Sequence, residues 1–262
     1  MINLSSLLYL PNYVKTWGLT GAGVFWQLHR RSERGQLLPV KVAGQTYWMR
    51  NSLSDRSIFF QTFVQREYDT RQWPLLHQRL DQFCSRILGH GKTPIIIDAG
   101  ANIGLSARWF ASQYPHARIY SIEPDEQNIA VLRRNAEGLP AIDILAGAIW
   151  DCNTALQIRN PDAGSASFRV AEGVGNIDSW TIPDIIQCAN GELFIVKIDI
   201  EGCEEALFRS NTEWISEAKL IIIELHDWLY PGEGTSRNFF KQIAHHAVDI
   251  VFRGENMFCF KI

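Results

Sequence analysis

The segment from Ile95 to Ser106, IIIDAGANIGLS, has the residue types of a ligand-binding turn. Asp98 ends an apolar run, and Gly100, Asn102 and Gly104 follow before an amphipathic stretch. Glycines there let the backbone turn sharply and approach a ligand, although in α/β proteins they can also serve tight packing alone. A dinucleotide fingerprint would need glycines at positions 100, 102 and 105. The spacing therefore disfavours an NAD-dependent oxidoreductase, which we keep as an alternative.

A second acid, Glu123, ends the next apolar run, 25 residues after Asp98. A carboxylate at that position can accept hydrogen bonds from both hydroxyls of a ribose. An acid at position 98 would repel a pyrophosphate but could accept hydrogen bonds from an amino group. Together the two acids favour an adenosyl ligand without a diphosphate, such as S-adenosylmethionine.

Four side chains that could move a proton follow two later apolar runs. Asp199 and Glu201 end one run, and Glu224 and His226 end the other. Ligands of open α/β sheets bind at the carboxyl ends of parallel strands, and imidazole has a suitable pKa for base catalysis near neutral pH. Two alternatives stay open: Glu201 could cap a helix beginning near Cys203, and His226 could be a core histidine.

Beyond residue 92, runs rich in Ile and Val alternate with amphipathic stretches, as in βαβ units that build a mostly parallel sheet. The predicted parallel strands are Pro94 to Asp98, Ala117 to Glu123, Ile142 to Ala148, Leu193 to Asp199, and Leu220 to Leu225. A helix from Phe239 to His246 and an antiparallel hairpin, Val248 to Phe252 with Met257 to Ile262, complete this part.

Residues 1–92 have a different pattern, which predicts a small α+β cap or lid on the domain formed by residues 93–262. Pro39 to Arg50 alternates around Gly44 as a hairpin does. Ser54 or Asp55 could cap a helix that continues to about Tyr68.

Six segments, in this order, resemble the FkbM-type methyltransferases: DAGANIGLS, SIEPDEQN, LRRN, SWTIPDII, VKIDIEGCE and IIIELH. The resemblance covers about residues 93–262, with weaker agreement at Phe63 to Tyr68. It implies a class I, Rossmann-like doubly wound sheet. It also implies an S-adenosylmethionine-dependent O-methyltransferase that acts on a hydroxyl of a sugar, glycan or polyketide-type metabolite.

The resemblance also implies which residues bind the cofactor. These are Asp98, Gly100, Ala101, Asn102, Gly104, Glu123, Pro124, Ala148, Ile149 and Trp150. Superfamily members more commonly offer a polar side chain to adenine where this chain has Ile149 and Trp150; Asp151 is a possible substitute, and Trp150 could equally belong to the core. Catechol-type members of the superfamily hold Mg²⁺ at comparable strand ends, so Asp199 and Glu224 are candidate ligands for that ion.

The composition excludes a disordered chain and disfavours a nucleic-acid binder. The 262 residues include 46% hydrophobic and 20% charged residues, with a net charge of -3, whereas phosphate binding needs a concentrated excess of Lys and Arg. We expect a cytoplasmic protein with reduced thiols, because its five cysteines are scattered without a CxxC pair. No apolar run reaches the roughly 18 residues of a membrane span, and no secretory signal is recognised at the amino terminus.

The small net charge hides an asymmetry. Residues 1–60 carry seven Lys or Arg against two acids, a net +5, and the rest carries 18 against 26, a net -8. The basic segment from Arg30 to Arg34 is either a solvated face or a contact for an acidic glycan, a phosphate or a membrane surface. A non-catalytic binding protein that keeps the methyltransferase fold is the third functional hypothesis.

Overall fold

The computed structural model describes residues 4–30, 33–159 and 169–262. Helices and one hairpin form the part before residue 93. They are α1 (Leu10–Trp17), α2 (Leu19–Leu28), β1 (Leu37–Val42), β2 (Gln45–Arg50), α3 (Leu53–Phe59) and α4 (Pro74–Gly89). Strands β1 and β2 pair antiparallel around the turn at Ala43 and Gly44, which confirms the predicted hairpin.

Helix α3 begins earlier than the sequence suggested. Its N-cap is Ser52, whose hydroxyl accepts the Asp55 N–H at 3.0 Å, so neither Ser54 nor Asp55 caps the helix. The Asp55 carboxylate is buried instead against the Arg50 guanidinium, at 3.0 Å. The helix continues as a π-helix, Phe60–Gln65, and ends at Arg66 with a left-handed φ of 55°.

The remaining elements alternate strands and helices. They are β3 (Thr93–Ala99), α5 (Leu105–Gln113), β4 (Arg118–Glu123), α6 (Glu126–Ala136), β5 (Ile142–Ala146), β6 (Ala148–Ile149), β7 (Leu156–Ile158), β8 (Val170–Glu172), β9 (Ser179–Trp180), α7 (Ile182–Cys188), β10 (Gly191–Ile198), α8 (Glu204–Leu207), β11 (Leu220–Glu224), α9 (Arg237–Ile243), β12 (Val248–Arg253) and β13 (Asn256–Lys261).

Seven of these strands form one sheet in the order β12, β13, β11, β10, β3, β4, β5. Strands β11, β10, β3, β4 and β5 pair in parallel, and β13 is inserted antiparallel between β11 and β12. The arrangement confirms the predicted mostly parallel sheet with an antiparallel carboxyl-terminal hairpin. It also brings the carboxyl ends of β3, β4, β10 and β11 to the same edge.

The third predicted strand is shorter than expected because the chain leaves the sheet at Gly147. This residue has a φ of 138°, and a Cβ there would lie 2.3 Å from the Asp178 carbonyl oxygen. Strand β6 therefore turns away from the sheet and pairs with β9.

The sheet buries both of its faces, as its uninterrupted apolar strands predict. On β3, Ile96 packs into a cluster with Phe25 and Phe63 from the first part of the chain, whereas its neighbours Ile95 and Ile97 pack into the cluster on the other face. Residues 1–92 and the sheet thus share one core. No helix in the described ranges has the length and apolar character needed to cross a membrane.

Candidate active site

The loop after β3 is held by backbone contacts that require glycine. Gly100 and Ala101 donate their N–H groups to the Ile122 carbonyl at 3.0 and 2.9 Å. A Cβ on Gly100 would lie 1.8 Å from the Asp199 carbonyl oxygen, and one on Gly104 would lie 2.2 Å from Cδ1 of Leu132. Both glycines have a positive φ. They therefore serve close packing, the alternative left open by the sequence, while Gly100 also faces a cavity.

That cavity, whose volume of about 560 Å³ includes space open to solvent, lies at the carboxyl ends of β3, β4 and β10. Nine of the predicted site residues line it, namely Gly100, Asn102, Glu123, Pro124, Ala148, Ile149, Trp150, Asp199 and Glu201. Four lining residues were not predicted, namely Ile122, Val170, Ile200 and Cys203. Apolar side chains and carboxylates thus share one chamber.

Three predicted cofactor residues, Asp98, Ala101 and Gly104, do not line the cavity. The Asp98 carboxylate is fully buried, accepts the Ser106 hydroxyl at 2.6 Å and lies 3.4 Å from Lys197 Nζ. Lys197 also donates to the Gly100 carbonyl at 2.8 Å. The structure thus places the Asp98 carboxylate not at the cavity surface but beside Lys197, where it holds the lysine that in turn fixes the loop.

Glu123 faces the cavity from the end of β4 and is held by three hydrogen bonds. Its carboxylate accepts the backbone N–H groups of Asn102 and Asp125 at 2.8 and 3.0 Å and the amide of Asn128 at 3.2 Å. Burial nevertheless raises the pKa of Glu123 to about 7, against these hydrogen bonds. A ligand that donates hydrogen bonds here would favour the charged carboxylate.

The sequence allows Trp150 either as a cofactor contact or as a core residue, and it lies at the boundary of the cavity and an apolar cluster. It lines the cavity and packs in a small apolar cluster with Leu156 and Val170. Asp151 lies outside the lining. Arg209 donates to both Asp151 carboxylate oxygens at 2.9 Å, and Ser210 donates at 2.8 Å. The Asp151 carboxylate thus binds Arg209 and Ser210 outside the cavity, and it is not placed where it could substitute for a polar adenine contact.

Four carboxylates surround His226, whose side chain is 2% exposed. Its Nδ1–H donates to Glu204 at 2.7 Å. Its Nε2 faces carboxylate oxygens of Glu224, Asp199 and Glu201 at 3.6, 3.7 and 3.7 Å. We call these five residues the charged cluster.

Three members of the charged cluster, His226, Glu201 and Glu224, have raised pKa values. Burial alone would lower the pKa of His226, but the hydrogen bond to Glu204 and the charges of Asp199 and Glu201 raise it to about 9. Burial, reinforced by Asp199, raises the pKa of Glu201 to about 7. The pKa of Glu224 is raised by the same two causes. At neutral pH His226 is therefore an imidazolium, and not the free base that its ordinary pKa suggested.

The backbone explains why Glu201 reaches this cluster. Strand β10 ends at Ile198, and Glu201 has a left-handed φ of 53°, so the extended geometry expected from Asp199 to Glu201 does not persist. The following helix, α8, has Cys203 as its N-cap without a side-chain hydrogen bond. Glu201 therefore does not cap that helix and faces His226 instead.

Two further acids were missed by the sequence reasoning. Glu204 is fully buried in the first turn of α8, and only the run of acids in EGCEEA hinted at it. Glu67 is 7% exposed, and the Asn256 amide donates to it at 3.4 Å. Burial and the charges of Glu255 and Asp199 raise the pKa of Glu67 to about 7, although Arg253 opposes them. The weak resemblance at Phe63 to Tyr68 was the available signal for Glu67.

The ligand set for a divalent cation is mixed. Among the described residues, ligand atoms of Asp199, Glu224 and His226 lie within 4.8 Å of one another. Mg²⁺ prefers an octahedron of oxygen atoms, so two carboxylates with one imidazole, itself positively charged at neutral pH, do not match that ion.

A curated methyltransferase is similar to part of this chain. The chain is 29% identical over 133 residues to the 2-O-methyltransferase NoeI of Sinorhizobium fredii, a match that covers 50% of this chain and 51% of the relative. The chain thus spans about half the length of this curated relative.

Two solved structures are similar at low identity. Methyltransferase FkbM from Methylobacillus flagellatus has 21% identity and a TM-score of 0.44, covering 64% of this chain and 43% of that one. The bifunctional kinase-methyltransferase WbdD has 17% identity and a TM-score of 0.41, covering 74% and 40%.

The family model described as the methyltransferase FkbM domain matches residues 98–250, which is more than half of the chain. This match begins at Asp98 and includes the loop after β3, Glu123 and the charged cluster. A methyltransferase family model over this range argues against the alternative of an NAD-dependent oxidoreductase. The match confirms the resemblance recognised in the sequence: the chain belongs to the FkbM methyltransferase family.

Proposed function

We propose that this methyltransferase uses S-adenosylmethionine to methylate a hydroxyl group of a sugar, glycan or polyketide-type metabolite. The observation that carries the proposal is the cavity, which has Glu123 and apolar walls at one end and Asp199 and Glu201 at the other. The name of the relative NoeI, a 2-O-methyltransferase, supports transfer to oxygen. When bound, the cofactor supplies a methyl group on a positively charged sulfur.

The residues that line the cavity fit an adenosyl ligand. Glu123 can accept both ribose hydroxyls, and the hydrogen bonds from Asn102 and Asp125 hold its carboxylate in place for that role. Ile149 and Trp150 offer apolar surface to a planar base. Asp199 and Glu201 place negative charge at the end where the sulfonium would lie.

Glu201 is our candidate for the base that accepts the hydroxyl proton. It lines the cavity, and its pKa of about 7 lets a large fraction be ionised at neutral pH while making it a stronger base than an ordinary carboxylate. His226 cannot fill this role while protonated. It instead holds Asp199, Glu201 and Glu224 around one positive charge, with Glu204 fixing its ring.

Displacement at the methyl group needs the acceptor oxygen in line behind the methyl carbon, in a site shielded from water. The apolar lining and the buried His226 and Glu204 side chains exclude water from one side of the site, whereas Asp199 and Glu201 are 30% and 24% exposed, so a bound cofactor and acceptor would complete the shielding. Positioning by these residues therefore accounts for much of the expected acceleration.

The test is a methyl-transfer screen with labelled S-adenosylmethionine against glycans, nucleotide sugars and aglycones, together with calorimetric titration of S-adenosylhomocysteine. We expect binding of the latter with micromolar affinity and transfer to at least one acceptor class. Absence of S-adenosylhomocysteine binding would contradict the cofactor assignment. Binding without transfer to any acceptor would favour the non-catalytic binding protein.

A further inference from the structure

Exposed apolar side chains are concentrated near the amino terminus, in a 3₁₀ helix, Leu4–Tyr9, that precedes α1, and in α2. Within the described residues, five of the fifteen exposed large apolar side chains lie between residues 7 and 26. We call them the amino-terminal face, and they are Leu7, Leu8, Tyr9, Leu19 and Trp26. Leu8 and Leu19 are 78% and 90% exposed. Single exposed apolar residues are ordinary on a protein surface, but a concentration of this kind marks an interaction site.

Helix α2 separates this face from the core. Leu19, Gly23 and Trp26 follow the spacing of one helix face and are exposed, whereas Val24, Phe25 and Leu28 on the other side are buried. A Cβ on Gly21 would lie 2.0 Å from the Tyr13 carbonyl oxygen, so α1 and α2 pack in direct backbone contact. The 3₁₀ helix that carries Leu7, Leu8 and Tyr9 runs directly into α1 at Leu10, and so leads into this helix pair.

The charges around the amino-terminal face are almost all positive. Exposed cations lie on α1 (Lys15), between α2 and β1 (Arg30 and Arg34) and on β1 (Lys41). Arg30 donates to the Pro39 carbonyl at 3.4 Å and the Lys41 N–H donates to Gln27 at 2.9 Å, which ties the β1 side to α2. The first 54 residues contain six Lys or Arg and one acid, Glu33. Arg31, in the basic segment noted in the sequence, lies outside the described residues.

We propose that the amino-terminal face docks on a membrane surface that contains anionic lipids. Leucine side chains gain free energy on leaving water, and Trp and Tyr favour the boundary between headgroups and acyl chains. Each nearby Lys or Arg adds electrostatic attraction to an anionic surface. The proposal is independent of which acceptor the enzyme methylates.

Charge argues for lipid over a second copy of the chain. In a two-fold symmetric dimer the same patch faces itself, so the basic residues around this face would be brought against one another, which is unfavourable. An anionic lipid surface complements both the apolar and the basic residues.

The experiment is co-sedimentation of the full chain with vesicles of phosphatidylcholine alone or with about 30 mol% phosphatidylglycerol, a fraction that gives an anionic surface. We expect binding to the anionic vesicles, with at least about tenfold less to the neutral ones, and weakening at high salt. Leu19→Ser with Trp26→Ser should reduce binding by about tenfold, because it removes apolar surface without changing charge. Lys15→Glu with Arg30→Glu should abolish the preference for anionic lipid.

The matched control is Val174→Ser with Phe252→Ser, which removes two exposed apolar side chains from elsewhere on the surface and should leave binding unchanged. Thermal unfolding confirms that each variant is folded. Equal sedimentation of wild type and the Leu19→Ser, Trp26→Ser variant would overturn the proposal, as would failure of the wild type to bind. Dimerisation in light scattering that the same variant abolishes would assign the face to a second copy instead.

Discussion

The two ends of the cavity are held in different ways. At one end, Glu123 is fixed mainly by neighbouring backbone, the N–H groups of Asn102 and Asp125. At the other end, side chains from β10, α8 and β11 meet around the ring of His226. The first end depends on the local course of two loops, whereas the second depends on a balance of buried charges.

This difference predicts separable functions. Changes at the Glu123 end should weaken cofactor binding, and changes in the charged cluster should slow transfer while cofactor still binds. A variant at one end that changed both cofactor affinity and the rate of transfer would show that the two ends act as a single unit.

The largest effect is expected for Glu201→Gln, which removes the candidate base while keeping a similar shape. The turnover number should fall by about 10²- to 10⁴-fold, with S-adenosylhomocysteine affinity changed by less than about threefold. Steady-state methyl transfer and calorimetry measure the two quantities.

Glu205→Gln, an exposed acid four residues further along the chain, is the matched control and should behave as wild type. Near-normal turnover in Glu201→Gln would assign the proton transfer to another group, of which Asp199 is the remaining cavity-lining carboxylate of the cluster.

The next effect concerns Glu123→Ala, which removes the acceptor for ribose hydroxyls. Each hydrogen bond to a charged group contributes about 1.5–3 kcal/mol, so the dissociation constant for S-adenosylhomocysteine should rise by about 10- to 100-fold. Calorimetric titration checks this, with the exposed Glu126→Ala as the control. Unchanged affinity would show that Glu123 serves only to hold Asn102 and Asp125.

The same contrast explains what could be inferred from the sequence. The strand that ends in Glu123 and the turn after β3 are contiguous patterns, because apolar runs followed by glycines and acids determine local backbone. Their positions in the sheet were therefore predictable, apart from the exit at Gly147, whose φ of 138° reflects a contact with Asp178 some thirty residues away.

Only part of the charged cluster could be predicted, because its contacts join side chains that are far apart in the sequence. Strand ends indicated Asp199, Glu224 and His226, but the protonation of His226 depends on Glu204, which comes from a short helix. The pairing of Lys197 with Asp98 likewise depends on two neighbouring strands and takes Asp98 out of the cavity lining. Such long-range pairings of side chains leave no periodic signal in the chain.

A third, smaller effect is the pH dependence of stability. The folded-state pKa of His226 is raised from 6.5 to about 9, so its protonation stabilises the fold fully below about pH 6.5, and this contribution is lost as the pH rises through 9. We expect His226→Gln to cost on the order of 1–3 kcal/mol more in unfolding free energy at pH 6 than at pH 9.5.

Urea unfolding of the wild type and the variant at both pH values measures this difference. His245→Gln, at an exposed position in the turn that follows α9, is the matched control and should show no such dependence. An equal cost at both pH values would mean that His226 carries no extra proton, and that imidazole packing alone stabilises the cluster.

The smallest effect is expected from EDTA. The charge of His226 already lies between Asp199, Glu201 and Glu224, and a cation bound to Asp199 and Glu224 would have to displace the proton from Nε2. Because that proton is held up to a pH of about 9, EDTA should change methyl transfer by less than about twofold at pH 7. A loss beyond about tenfold, restored by excess Mg²⁺ or Mn²⁺, would show that the charged cluster binds a metal in place of a proton. The comparison between the two ends would then be one between a hydrogen-bonded carboxylate and a metal centre.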